Sequence, residues 1–193
     1  KSEKEVIKNP FPGLRPFKYE ESHLYFGREN QIDEVLDKLV QNRFVSIIGT
    51  SGIGKSSFIY CGIFPVLYGD YPTDTSSKWE IFTMRPGVSP IKNLAKSLVH
   101  NELIDFEDSE KNDLSENIEY ALLTKDSNGL IESIRSKYQQ FPRNYLIFID
   151  QFEEIFRFKD IDTHSHEETL AFIKLIANAV YQSEVPIYVA LTM

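Results

Sequence analysis

Three short runs of the chain are apolar at almost every position: Phe44-Val45-Ser46-Ile47-Ile48, Tyr145-Leu146-Ile147-Phe148-Ile149 and residues 186–191. A strand without a polar face is one covered on both sides, so these runs predict central strands of a parallel sheet. Between them the spacing changes to that of helices with one buried face. Residues 29–40 place Ile32, Val35, Leu36 and Leu39 on one stripe. From Pro90, a residue suited to a first turn, Ile91, Leu94, Ala95, Leu98 and Val99 repeat in the same way. Residues 79–84 alternate and are closed by Arg85-Pro86-Gly87, which predicts a further strand. Helices are also expected from about 55 to 61, where Gly62 and Pro65 weaken continuation, at 114–123, and at 129–140 before Phe141-Pro142. Ser165 and Glu168 have the spacing of a capping box for a helix through Val180.

Alternating strands and helices at this spacing predict an α/β fold, a mostly parallel sheet with helices on both faces. Ligands of such sheets bind beyond the carboxyl ends of the strands. The 193 residues suit one domain of this kind. Residues 9–17 hold three prolines and a glycine and read as an extended segment, with Phe11, Leu14 and Phe17 to pack it down. The expected division is therefore an N-terminal extended segment over 1–24 and the α/β domain over 25–193. Residues 68–78 read as a surface connection and the acid-rich 101–117 as solvent-facing. Because the chain starts at a lysine and stops at Leu191-Thr192-Met193 inside a strand-like run, it reads as a fragment incomplete at its C-terminus.

Composition narrows the partners. The chain is 41% hydrophobic and 26% charged, with a net charge of −8. No cluster of Lys and Arg marks a nucleic-acid footprint, and no run approaches the ~20 apolar residues of a membrane span. The one cysteine, Cys61, excludes an internal disulfide and fits a reducing, cytoplasmic setting. It lies in an apolar stretch and reads as core, as do Trp79 and the phenylalanines. His164 and His166 have no third ligand fixed in sequence and read as surface residues ahead of a helix.

The chemistry is concentrated directly after the first strand. Gly49-Thr50-Ser51-Gly52-Ile53-Gly54-Lys55-Ser56 is a complete G-x-x-x-x-G-K-S loop, whose backbone amides, continuing into Ser57, are built to cradle nucleotide phosphates. Lys55 reaches the β- and γ-phosphates, and Ser56 offers a hydroxyl to Mg²⁺. Asp150 ends the second apolar run and is placed as the Walker B partner of Ser56 on that ion. Glu153 and Glu154 follow in Asp150-Gln151-Phe152-Glu153-Glu154, where a carboxylate can orient or deprotonate water beside the γ-phosphate. Spacing leaves the choice between them open, with a slight lean to Glu154; Gln151 is a weaker candidate for the same task. ATP and Mg²⁺ are the ligands this set implies, with ATP favoured over GTP only by the resemblance described next.

Phe11-Pro12-Gly13-Leu14-Arg15-Pro16-Phe17, Tyr25-Phe26-Gly27-Arg28-Glu29, the phosphate loop and Asp150-Gln151-Phe152-Glu153-Glu154 together resemble the signatures of the novel STAND NTPase 1 family, and Arg85-Pro86-Gly87 fits as well. The resemblance runs from about Asn9 to Met193. It implies an AAA+-like P-loop NTPase with ASCE-type strand order, in which the 186–191 strand lies between the Phe44 and Asp150 strands. It further implies that Phe26 and Gly27 lie near the adenine and Arg28 near the ribose or phosphates. STAND proteins are signal-transducing ATPases whose nucleotide state gates assembly. They usually carry sensor repeats and an effector domain, and several groups serve in defence or programmed cell death. The family continues with a γ-phosphate-sensing arginine, a last core strand and a helical lid. The resemblance therefore implies weak or absent turnover by this length of chain, and an apolar edge left beside the Phe44 strand. The competing reading is a scaffold that binds nucleotide without hydrolysing it and serves protein interaction. A fast nucleic-acid translocase and a small-substrate kinase find no support in the residues.

Overall fold

The computed structural model describes Gly13, Arg15 and residues 17–100, 112–157 and 163–193, the side chains of 112 and 163–165 excepted. Most of the expected extended segment 9–17, and residues 101–111 of the acidic stretch, lie outside the described residues. A 3-10 turn at Tyr19–Leu24 leads to α1 (Glu29–Asn42), β1 (Phe44–Ile47) and the phosphate loop. A continuous helical stretch, 55–68, follows: α2 (Lys55–Phe58), a π segment (Ile59–Ile63) and α3 (Phe64–Tyr68). Then come β2 (Trp79–Met84), α4 (Pro90–Val99), α5 (Asn112–Lys125), α6 (Gly129–Gln140), β3 (Asn144–Ile149), α7 (Glu154–Arg157), α8 (Thr163–Tyr181) and β4 (Ile187–Thr192).

All four strands are parallel, in the order β1-β4-β3-β2. The last strand thus inserts between the first and third, the order that the family resemblance implied. Both faces of β3 and β4 are covered, and the period-2 alternation of the strands divides the core. Leu146 and Phe148 of β3, with Tyr188 and Ala190 of β4, pack under α1 and the 55–68 helical stretch, against Leu36, Leu39, Ile59 and Phe64. Their neighbours Tyr145, Ile147 and Ile149, with Ile187, Val189 and Leu191, face α4, α6 and α8 through Leu94, Ile134 and Phe172. Every residue of β3 and β4 is buried, as the apolar runs required. β1 is paired on one side among the described residues, and Phe44 and Ile48 beside its free edge are exposed.

Four local expectations are corrected. The helix after the phosphate loop does not weaken at Gly62 and Pro65 but runs to Tyr68. Its backbone widens into a π turn over Ile59–Ile63, and Pro65 follows that turn, at the start of the α3 segment. Ser165 is not a helix cap, because α8 starts at Thr163; the Glu168 carboxylate instead accepts the Ile91 N–H at 3.2 Å, fixing α8 against the start of α4. Burial raises the Glu168 pKa above the ordinary carboxylate value, opposed by that hydrogen bond. Part of the acidic stretch, from Asn112, is helical and opens α5. Trp79 is core, whereas Phe26, Phe141 and Phe156 are exposed.

Candidate functional site

Parallel pairing gathers the carboxyl ends of all four strands on one rim. There Gly49 N–H donates to the Met193 carbonyl, Asp150 N–H to that of Met84, and Phe152 N–H to that of Thr192. Residues distant in sequence thereby become neighbours, and four polar side chains meet.

The loop from Gly49 to Gly54 turns through two left-handed glycines, Gly52 at φ 81° and Gly54 at φ 93°, conformations that a side chain would strain. Gly54 is also the residue before α2, and among the described residues no side chain caps that helix end. First-turn N–H groups therefore face the loop's concavity, the arrangement that binds anions. Lys55 curls over the loop and donates to the Gly49 carbonyl at 2.6 Å and the Thr50 carbonyl at 3.2 Å. Thr50, Ser51 and Ile53 are exposed on the same loop. Ser57 is placed differently. It is buried, and its hydroxyl accepts the Phe17 N–H at 3.0 Å, while the Cys61 thiol donates to the Lys18 carbonyl. These contacts tie the chain entering the domain to the helix behind the loop.

Asp150 is the centre of the site. Its side chain is 4% exposed, and its carboxylate accepts three hydrogen bonds: from Ser56 Oγ at 3.0 Å, Thr192 Oγ1 at 2.6 Å and Arg85 Nη2 at 3.1 Å. A buried carboxylate requires such partners. Thr192 also accepts the Gln151 N–H, which helps hold Gln151 in a left-handed conformation at φ 55°. Glu154 accepts the Gly87 N–H at 3.1 Å, fastening α7 to the turn after β2. The neighbouring Glu153 differs, because its Oε2 is buried without a partner among the described residues.

Ser56 and Asp150 supply hard oxygen donors in contact with each other. This donor set fits Mg²⁺, which commonly takes one or two protein ligands and completes its shell with phosphate oxygens and water. Among the described residues no cluster of three or more His, Cys, Asp or Glu forms a separate metal cage, and His166 is exposed. Beside the loop lies a cavity of about 280 Å³ lined by Tyr25, Arg28, Val35, Ile53, Lys55 and Phe58, among others. Gly27, at φ 83°, precedes it; its N–H donates to Glu29 and lowers that carboxylate's pKa. Phe26 is 76% exposed, so Tyr25 rather than Phe26 presents the aromatic ring to this cavity.

Arg85 and Thr192 were not singled out from the sequence as site residues. Each closes an expected strand, as Asp150 does, but only the strand order brings them together.

A parallel α/β sheet with this loop on its carboxyl rim defines a P-loop NTPase-like domain. The chain belongs to the Novel STAND NTPase 1 family, whose model matches residues 10–193. No curated protein matches the chain. Family membership makes it a nucleotide-binding switch module in general terms. No helix among the described residues is long and apolar enough to cross a membrane.

Proposed function

We propose that this chain is the ATP-binding switch of a STAND-type signalling protein, dependent on Mg²⁺ and slow in hydrolysis. The observation that carries the reading is the Ser56–Asp150 contact at 3.0 Å, formed beside Lys55 by residues 94 positions apart. Lys55 exchanges the Gly49 and Thr50 carbonyls for β- and γ-phosphate oxygens, and the amides of residues 49–57 hold the rest of the phosphate chain. Ser56 and Asp150 hold Mg²⁺, which when bound neutralises charge on the transferring phosphoryl group. The nucleoside lies toward Tyr25, Gly27 and Arg28, where the adjoining cavity offers the Ile53 and Phe58 side chains; Phe26 is a rim residue in this arrangement.

Of the two glutamates, Glu153 is the better candidate to orient water. Its buried Oε2, without a partner among the described residues, needs one, whereas Glu154 is engaged by Gly87. Slow turnover suits a switch, because contacts available only to the γ-phosphate then set the population of an assembled state. A cytoplasmic protein with fused sensor repeats and an effector is the setting that family membership favours, and a defensive role is the one we propose for it.

The test is binding of ATP, ADP and GTP with and without Mg²⁺, with molar mass from light scattering in each state. The proposal expects adenine nucleotides to bind at least about tenfold more tightly than GTP, a difference of about 1.4 kcal/mol. It also expects the protein carrying this chain to be larger with ATP than with ADP. Equal mass in both states, with ATP bound and uncleaved over hours, would instead support the hydrolysis-dead scaffold.

A further inference from the structure

Arg85 stands at the carboxyl end of β2 and reaches the most buried carboxylate of the rim. Its side chain is 57% exposed, whereas that of Asp150 is 4% exposed, and a single bond of 3.1 Å from Nη2 joins them. The backbone that carries Arg85 is fastened. Asn93 Nδ2 donates to the Arg85 carbonyl at 3.3 Å and the Pro86 carbonyl at 2.8 Å, and Gly87 N–H donates to Glu154. A fixed backbone with a mostly solvated guanidinium on one contact is the arrangement of a side chain that can leave without disturbing the fold.

The other oxygen of Asp150 is held by two hydroxyls, from Ser56 and Thr192, neither of which brings charge. Among the described residues the cationic bond to Asp150 is therefore that of Arg85. A divalent cation held by Ser56 and Asp150 needs the same negative charge, and a guanidinium beside it would be repelled.

Resting on the reading of Asp150 as the metal-holding carboxylate, we propose that Arg85 is a displaceable counter-ion. It neutralises Asp150 when the site is empty and gives the carboxylate up to the divalent cation that arrives with the nucleotide. The nucleotide-free protein thereby keeps a buried charge paired, and the presence of Arg85 sets how weakly the metal binds. A merely structural brace for Asp150 would act with the opposite sign, since removing it would misplace the carboxylate and weaken the metal.

Mn²⁺ is the probe, titrated by electron paramagnetic resonance into the protein saturated with ADP, which has no γ-phosphate for a freed arginine to engage. Arg85→Gln is expected to bind Mn²⁺ about three- to tenfold more tightly than wild type, the scale of one partly solvated charge contact. Arg85→Lys, which keeps the charge, is expected to stay near the wild-type value. Unchanged or weaker Mn²⁺ binding by folded Arg85→Gln overturns the proposal. Asp150→Asn separates this failure from that of the site itself: if it binds Mn²⁺ as well as wild type does, Asp150 is not the metal-holding carboxylate. Should Arg85→Gln not fold, the wild type still decides, through the ¹⁵N signals of the Arg85 guanidinium. Their shift and faster solvent exchange on adding Mg²⁺ to the ADP complex support displacement, and unaltered signals refute it.

Discussion

Ser56 Oγ donates to Asp150 Oδ1 at 3.0 Å, joining the first helical turn after the phosphate loop to the end of β3. Substituting Asp150→Asn keeps the shape of this contact but removes the charge, and it turns an amide donor toward either Arg85 or the two hydroxyls. ATP affinity measured in EDTA should stay within about twofold of wild type, while the gain on adding Mg²⁺ disappears. Calorimetric titration in the two buffers reads both quantities.

Glu153 and Glu154 are adjacent in sequence but engaged differently, one with a buried oxygen that has no partner among the described residues and the other bonded to Gly87. Glu153→Gln should lower single-turnover ATP cleavage by about 10²-fold or more, within the range for loss of a general base, and leave ATP binding intact. Glu154→Gln should chiefly lower stability, by about 1–2 kcal/mol for a weakened charged hydrogen bond. The reverse pattern in a single-turnover assay and a thermal melt would assign the catalytic task to Glu154.

Gly129 opens α6 against the end of α5, where a Cβ would lie 2.3 Å from the Leu122 carbonyl oxygen and 2.8 Å from the Leu123 Cα. Both obstacles are backbone, so no side chain can rotate away. Gly129→Ala should cost at least about 1–3 kcal/mol by overpacking, more than its helix propensity returns. At this chain length that is a fall of at least about 2–4 °C in melting temperature per kcal/mol. ATP affinity of the folded variant should be unaltered, since the turn lies away from the phosphate loop.

Burial pushes the Cys61 thiol up to about 11 from an ordinary value of 9, with Glu21 and Glu20 adding to the effect. A thiol whose folded pKa is raised stabilises the fold fully below pH 9. That contribution is lost as the pH rises toward 11, because the unfolded chain ionises first. Iodoacetamide should therefore modify the native protein far more slowly at pH 8 than the unfolded chain. Stability should decline between pH 9 and 11, and the part due to this thiol should vanish in Cys61→Ala. Rapid native alkylation at pH 8 would contradict the buried assignment.

Much of the domain could be read from residue patterns because the centre of the sheet is buried on both faces. The Tyr145 and 186–191 runs have no alternative exposed register. The Phe44 run, expected to be central and covered on both sides, instead forms the edge strand β1 among the described residues, with Phe44 and Ser46 exposed. Helix α6 ends at Gln140, where Phe141-Pro142 ends it in the sequence. The phosphate loop was readable because its constraints are local. What escaped was non-local. Strand order followed from resemblance, not from periodicity, and Arg85 and Thr192 became site residues only when that order placed β2 and β4 beside β3. Gly62 looked like a helix breaker. In the fold it permits close approach, since a Cβ there would come within 2.9 Å of Ile32 Cδ1. Glu168 had the spacing of a local cap and serves α4 instead, a choice that only tertiary contact reveals.

The central claim is that the loop around Lys55 is a working nucleotide site. Isothermal titration with ATP and Mg²⁺, run beside Lys55→Ala, tests it most directly. Saturable binding by wild type, weakened at least about tenfold in a variant that melts at the same temperature, is the expected result. Equal binding by the two proteins, or none by a folded wild type, would contradict the account.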